Sequence, residues 1–160
     1  MARKETPAYL VRNSAIHGRG VFAARRIRAG TTVIEYTGER ISWRKALRRH
    51  PHDPAQPNHT FYFSLEDGRV IDANVGGNDA RWINHGCDPN CEAEEESGAR
   101  AAGGSRVFIR ALRDIARGEE LKYDYGLLID ARYTKKLKDE YRCLCGAGDC
   151  RGTMLAPKAP

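Results

Sequence analysis

No stretch of this chain approaches the roughly 18 consecutive apolar residues that a membrane helix needs, so no membrane partner is expected. The opening Met-Ala-Arg-Lys-Glu-Thr-Pro lacks the apolar core of a secretory signal. The expected setting is intracellular and reducing. No internal repeat is present. The formal net charge is +6, yet no compact block of lysine and arginine with interleaved aromatics accompanies it. The densest basic stretches are Arg25, Arg26 and Arg28, then Arg44, Lys45, Arg48 and Arg49. They read as solvated strand ends and a solvated helix face, and direct binding to nucleic acid is not expected. His50, His52 and His59 lack the regular spacing of a metal site and read as part of an exposed loop.

What is present suits one domain, since 160 residues can bury a genuine core. Short apolar stretches alternate with glycine. Tyr9 to Arg12, Val21 to Ala23, Thr31 to Tyr36 and Leu121 to Tyr123 read as strands, with the Gly18/Gly20 pair marking a tight turn. Ser42 is placed to cap a short helix from Trp43 to Arg49, stopped by Pro51. His50 to His59, with three prolines, reads as a loop. Thr60 to Leu65 and Arg69 to Ile71 form an expected hairpin about Glu66-Asp67-Gly68. Asn78 to Ile83 is expected to be a short helix leading into a turn at Asn84-His85. Glu92 to Glu96 and Arg106 to Ala111 form a second expected hairpin whose glycine-rich tip is flexible. Leu112 to Arg117 is a turn, and Asp130 to Glu140 a polar stretch without assigned structure. Many short strands and little helix predict an α+β fold that is predominantly β.

Five cysteines in a reducing setting favour free thiols or metal over disulfides. Cys143, Cys145 and Cys150 lie within eight residues, and a Cys-x-Cys pair is too tight to bridge without strain. Zinc is the better reading, with a fourth ligand supplied by Cys87 or Cys91 if the fold brings that loop to the carboxyl-terminal cluster. Four thiolates and one divalent ion would lower the formal charge from +6 to +4.

Four ordered motifs carry a resemblance. They are His17-Gly18-Arg19-Gly20-Val21-Phe22-Ala23, Glu35-Tyr36-Thr37-Gly38-Glu39, Arg81 to Cys91 with Asn84-His85-Gly86-Cys87 at its centre, and Gly118 to Gly126 with Tyr123-Asp124-Tyr125. Followed by the Cys143 to Cys150 cluster, they resemble the SET-domain lysine methyltransferases with their post-SET zinc segment, over nearly the whole chain. The resemblance implies small sheets around a threaded knot, with Asn84-His85 passing under the Gly118 to Tyr125 loop. It divides the chain into a SET domain at 8–127 and a post-SET zinc segment at 128–156, with essentially nothing beyond them. It also implies methyl transfer from S-adenosylmethionine to a lysine of a protein or peptide, a basic histone-like tail being one candidate. Localisation would be cytoplasmic, or nuclear and chromatin-associated for a histone substrate.

Residue by residue, the resemblance makes Tyr125 the catalytic tyrosine and Tyr123 the position that limits methyl number, giving mono- or dimethylation. Gly18, Arg19, Gly20, Arg81, Asn84 and His85 would hold the cofactor. Tyr141 and Met154 would cover its adenine, with core packing as the alternative. One structural zinc per chain would be held by Cys87, Cys143, Cys145 and Cys150, leaving Cys91 as a small buried hydrophobe. Two departures stand out. Gly86 occupies a position where the family usually has serine, and Phe61 one where it often has a channel tyrosine. Either Tyr62 supplies that hydroxyl through a local shift, or the channel has one fewer. Glu92, Glu94, Glu95 and Glu96 read as a solvated strand or as the edge of a groove for a basic substrate. Two other functions compete: a non-catalytic binding module of the same fold, and a basic zinc protein that binds nucleic acid.

Overall fold

The computed structural model describes residues 7–49, 61–96, 105–127 and 132–157. The amino terminus, the proline-rich loop with His50, His52 and His59, the tip between Glu96 and Ser105, and Asp130 lie outside the described residues. Strands β1 (Tyr9–Asn13) and β2 (Arg19–Ala23) form an antiparallel hairpin. Gly18 makes its turn, with φ at 45° and its carbonyl accepting from Ser14 N–H at 2.7 Å.

Strand β3 (Thr32–Tyr36) joins a five-stranded sheet, while β4 (Glu39–Ser42) joins a separate three-stranded one. The segment Glu35 to Glu39 is thus the crossing between two sheets. Gly38 is the crossing point, because a side-chain carbon there would lie 2.4 Å from the Asp72 carbonyl oxygen. Helix α1 (Trp43–Arg49) follows where expected, and the Ser42 hydroxyl accepts from Lys45 N–H at 3.1 Å. Strands β5 (Tyr62–Ser64) and β6 (Arg69–Asp72) form the first expected hairpin and complete the smaller sheet, in the order β4-β6-β5.

The stretch after Asn78 is a 3-10 turn, Asp79–Trp82, capped by the Asn78 side chain, which accepts from Ala80 N–H. Asn84-His85, expected as a turn, is strand β7. Strands β8 (Cys91–Glu96) and β9 (Arg106–Ala111) form the second expected hairpin. Here the period of two is strict: Val107, Ile109 and Ala111 are buried and Arg106 is exposed. Full burial of a side chain such as Val107 or Ile109 stabilises by about 1.5–3 kcal/mol. Strand β10 (Lys122–Tyr123) closes the larger sheet in the order β3-β9-β8-β10-β7. The core between the sheets is built from Val21, Ile71, Ile83, Ile109, Ile115 and Leu121.

The polar stretch before the cysteines contains helix α2 (Lys135–Glu140), with the Thr134 hydroxyl accepting from Leu137 N–H at 3.1 Å. It buries no residue, and so carried no apolar stripe for the sequence to reveal. The carboxyl-terminal segment returns to the sheet region through a parallel bridge between Leu127 and Leu155.

Candidate active site and zinc centre

The site grows out of one unusual pairing. Strand β10 lies parallel to both β7 and β8 and sits between them. Parallel neighbours normally need a crossover of about a dozen residues or more. Here only residues 86–90 join β7 to β8, which suffices because β7 has two residues and β8 touches β10 through the single pair Cys91 and Tyr123. The later segment is therefore slotted between two earlier ones, as a threaded knot requires. Asn90, fully buried, pins it: its side chain donates to Glu120 O and accepts from Lys122 N–H, both at 2.8 Å. Gly86 also has its reason. A side-chain carbon there would meet Lys122 Cβ at 2.9 Å, so glycine lets β10 close on β7.

Tyr123 and Tyr125 emerge from this junction with ring centres 4.9 Å apart. Tyr125 Oη donates to Ile83 O at 2.5 Å, so the hydroxyl proton is committed and the lone pairs remain available. The Tyr123 ring is buried, but its hydroxyl makes no hydrogen bond with any described residue. Burial pushes both phenols well above their ordinary range, which keeps them neutral. Above them opens a cleft of about 270 Å³ lined by Phe63, Pro89, Glu92, Leu112 and the two tyrosines.

His85 is only 3 % exposed and is held neutral, its pKa brought down to about 4 by burial, against the opposing pull of Asp124. Its Nδ1 accepts from Tyr125 N–H at 3.0 Å, and Nε2 faces Cys87 Sγ at 3.5 Å. With both ring nitrogens occupied, His85 has only its backbone to offer a ligand. Gly86 N–H donates to Tyr123 O, so by the alternation of a parallel pair the N–H and C=O of His85 face the free edge of the sheet.

Asn84, 7 % exposed, turns its amide nitrogen toward His17 O at 3.2 Å, Arg19 O at 3.1 Å and Glu120 Oε1 at 2.9 Å. The turn around Gly18, Arg19 and Gly20 is thereby folded onto Asn84. Arg81 lies over the Trp82 ring at 4.7 Å, with Arg19 over the same ring at 5.6 Å. Arg81 Nε is buried without a hydrogen-bond partner among the described residues, an orphan that a bound carboxylate or hydroxyl would satisfy. The orphan and the unpaired backbone edge of β7 fit a ligand with an amino-acid end and a purine.

Tyr62 is not brought to this cluster. Alternation along β5 sends it to the opposite face, where it packs with Ile41, Ala46 and Val70 and donates to Ala46 O at 3.3 Å. The β5 aromatic beside the tyrosine pair is Phe63, and Phe61 stacks edge-on against Trp82. The wall offered by β5 thus lacks a hydroxyl. Tyr141 and Met154 are brought to each other, Met154 N–H donating to Tyr141 O at 2.7 Å, and both are half-buried. Of the acidic run, Glu94 pairs with Arg110 at 3.0 Å and Glu95 accepts from Glu66 N–H. Only Glu92 of the four lines the cleft.

The ligand sulfurs of Cys87, Cys143, Cys145 and Cys150 all lie within 4.8 Å of one another. Cys87 Sγ is 3.7 Å from Cys143 Sγ and 3.9 Å from Cys150 Sγ. Around a tetrahedral ion with metal–sulfur bonds of about 2.3 Å, neighbouring sulfurs stand about 3.8 Å apart, whereas a disulfide requires about 2.05 Å. The donor set fits one structural zinc. Cys91 stays in the core, its thiol pushed up to about 12 by burial. Arg151 ties this segment to the tyrosine loop, donating to Asp124 Oδ2 at 2.7 Å. Asn90, Glu120 and the Arg151–Asp124 pair had no assigned role in the sequence; their partners are far along the chain or lie in another segment.

A family model for the SET domain matches residues 18–126. The "Histone-lysine N-methyltransferase, H3 lysine-4 specific" of Saccharomyces cerevisiae is 40 % identical over 155 residues, covering 95 % of this chain and 13 % of that protein. Its namesake in Eremothecium gossypii is 39 % identical over 157 residues, 96 % of this chain and 15 % of the relative. The chain thus spans about one seventh of these relatives' length. Among solved structures, the autoinhibited ctPRC2 bound to S-adenosylmethionine superposes with a TM-score of 0.67 at 35 % identity, over 76 % of this chain and 15 % of that one. An active polycomb repressive complex 2 in the stimulated state gives 0.69 at 32 % identity, over 83 % and 17 %.

Proposed function

This chain belongs to the SET-domain family, and from that premise we propose that it transfers a methyl group from S-adenosylmethionine to a lysine side chain of a protein. We assign residues 8–127 to the SET domain and 128–156 to the zinc segment. The observation that carries the reading is the tyrosine pair: one hydroxyl with its proton committed to Ile83 O, the other without a partner among the described residues, both at a cleft.

The methyl donor, when bound, supplies a carbon activated by an adjacent sulfonium. The chain's task is to present a neutral amine to it. Free lysine titrates near 10.4, so at pH 7 deprotonation costs about 4.6 kcal/mol. The walls of Phe63, Tyr123 and Tyr125 exclude water and disfavour the ammonium form. Tyr125 Oη presents its lone pairs, which orient the amine and the polarised methyl. Tyr123 Oη is free to hold the lysine nitrogen or a water in the space an added methyl would need, which supports mono- or dimethylation. Asn84 and the Gly18–Gly20 turn hold the amino-acid end of the cofactor, and the His85 backbone edge takes the purine. Tyr141 and Met154 stand on the zinc segment and cover it from that side.

The substrate is a basic, histone-like segment. Glu92 stands on the cleft with no ion-pair partner among the described residues, since Arg110, opposite it in the strand pair, is taken by Glu94. Such a rim charge steers encounter more than it adds affinity. A histone substrate places the reaction on chromatin, any other basic protein in the cytoplasm.

Methylation of a peptide array with Tyr125→Phe as control tests the assignment. The lost hydroxyl acts during transfer, so turnover should fall by roughly a hundredfold or more with cofactor affinity retained. Equal turnover would remove Tyr125 from catalysis. Cofactor binding without any transfer would favour the binding module, and failure to bind the cofactor would reopen the nucleic-acid reading.

A further inference from the structure

Glu120 carries a charge that no cation among the described residues neutralises. Its Oε1 accepts from the Ser14 hydroxyl at 2.7 Å and from Asn84 Nδ2 at 2.9 Å. The fold makes room for it, because a side-chain carbon at Gly20 would fall 2.2 Å from the same oxygen. A side chain at Gly20 would push this carboxylate aside.

The same carboxylate decides which way the Asn84 amide faces. Nδ2 has two hydrogens and three oxygens around it, His17 O, Arg19 O and Glu120 Oε1. An amide oxygen in that place would confront three acceptors, so nitrogen must occupy it and Oδ1 must turn the other way. Oδ1 has no partner among the described residues and is not sealed off. A free amide oxygen next to an uncompensated carboxylate is a receptor for a cation with N–H groups.

Resting on the methyltransferase reading, we propose that Glu120 is a positioning residue for the α-ammonium of S-adenosylmethionine, locking the Asn84 amide so that Oδ1 meets the ammonium and supplying the charge that balances it. The carboxylate acts through Asn84 and through its field, and it takes no part in transfer. This separates its contribution from that of adenine recognition, which belongs to the His85 backbone and the zinc segment.

Calorimetry with two probes tests this. S-adenosylhomocysteine carries the ammonium, whereas 5′-methylthioadenosine has the adenosine and the sulfur but no amino-acid end. Glu120→Gln keeps the size and an acceptor oxygen and removes the charge. It should weaken S-adenosylhomocysteine roughly five- to tenfold, the difference between a charged and a neutral hydrogen bond, and leave 5′-methylthioadenosine unchanged. Glu120→Asp, which restores the charge on a shorter arm, should recover part of the preference. Ser14→Ala, which keeps the charge, should leave the ratio of the two affinities as it is in the parent. Equal losses for both probes in Glu120→Gln, no loss for either, or a ratio shifted as far by Ser14→Ala would each overturn the proposal. A parent protein that binds neither probe would instead sink the methyltransferase reading. Zinc content and the thermal transition of each variant check its fold, and should Glu120→Gln lose either, Glu120→Asp carries the test alone, an unaltered probe ratio counting against it.

Discussion

Strands β8 and β9 bury Val107 and Ile109 completely, whereas α2 buries no residue. Over residues 132–157 only Cys143, Thr153 and Leu155 are buried. The sheet region is held by apolar area spread over many side chains. The tail is held by four sulfurs, one ion pair and a backbone bridge. Cys87 makes the difference instructive, because it belongs to the β7–β8 connection and yet faces the tail's three cysteines. The metal is therefore a staple between a region that folds on its own area and one that does not.

Removing the metal should have the largest effect. Structural zinc sites contribute on the order of 10 kcal/mol, so Cys145→Ser, or treatment with a strong chelator, should take zinc from one per chain to none. Limited proteolysis should then cut within 132–157 while the thermal transition of the sheets persists, and S-adenosylhomocysteine should bind more weakly. Global unfolding on chelation would erase the contrast between the regions. Zinc retained in Cys87→Ser with normal cofactor affinity would remove the staple and reopen Cys91.

Next in size is a wound to the core. Ile109→Ala should cost about 2–5 kcal/mol in denaturant unfolding, with zinc release coinciding with loss of the sheets. A tail that keeps its metal after the sheets have melted would show it to be independent.

The Arg151–Asp124 pair is part-exposed, at 25 % and 36 %, and should contribute no more than about 1 kcal/mol. Arg151→Ala should therefore keep its zinc, show faster proteolysis of the tail and lose cofactor affinity a few-fold. Intact affinity would mean that the sulfurs alone dock the tail.

Tyr123→Phe should change stability least, by well under about 1 kcal/mol, since its hydroxyl has no partner among the described residues to lose. Its effect belongs in the product: mass spectrometry should show a shift toward higher methylation. Abundant trimethyl-lysine from the parent at short times would show that a β5 wall with Phe63 and no hydroxyl already leaves the channel open.

Legibility in the sequence followed the range of the interaction. The β8–β9 hairpin and α1 were readable because alternation and a serine cap are local. The Cys143, Cys145 and Cys150 spacing declared a metal, but the choice of Cys87 over Cys91 needed either a family pattern or the fold. Helix α2 was missed because Lys135–Glu140 has no apolar stripe, although Thr134 offered a cap. Tyr62 was misplaced against a signal that was available, since alternation along Phe61-Tyr62-Phe63 already sets it on the face opposite its neighbours. Glu120 was silent because its partners, Ser14 and Asn84, lie 106 and 36 residues away.

The slotting of β10 between β7 and β8 has a kinetic side. Strand β7 has no strand partner until the chain has been made as far as Tyr123, β8 has only β9, and the gap left for β10 is bounded by a connection of five residues, 86–90. A segment arriving last must enter a space whose walls are already joined, so the search is non-local and slow relative to the hairpins that form from neighbours. Until it succeeds, Tyr123, Leu121 and Ile83 remain uncovered, and the nascent protein exposes apolar surface that favours aggregation.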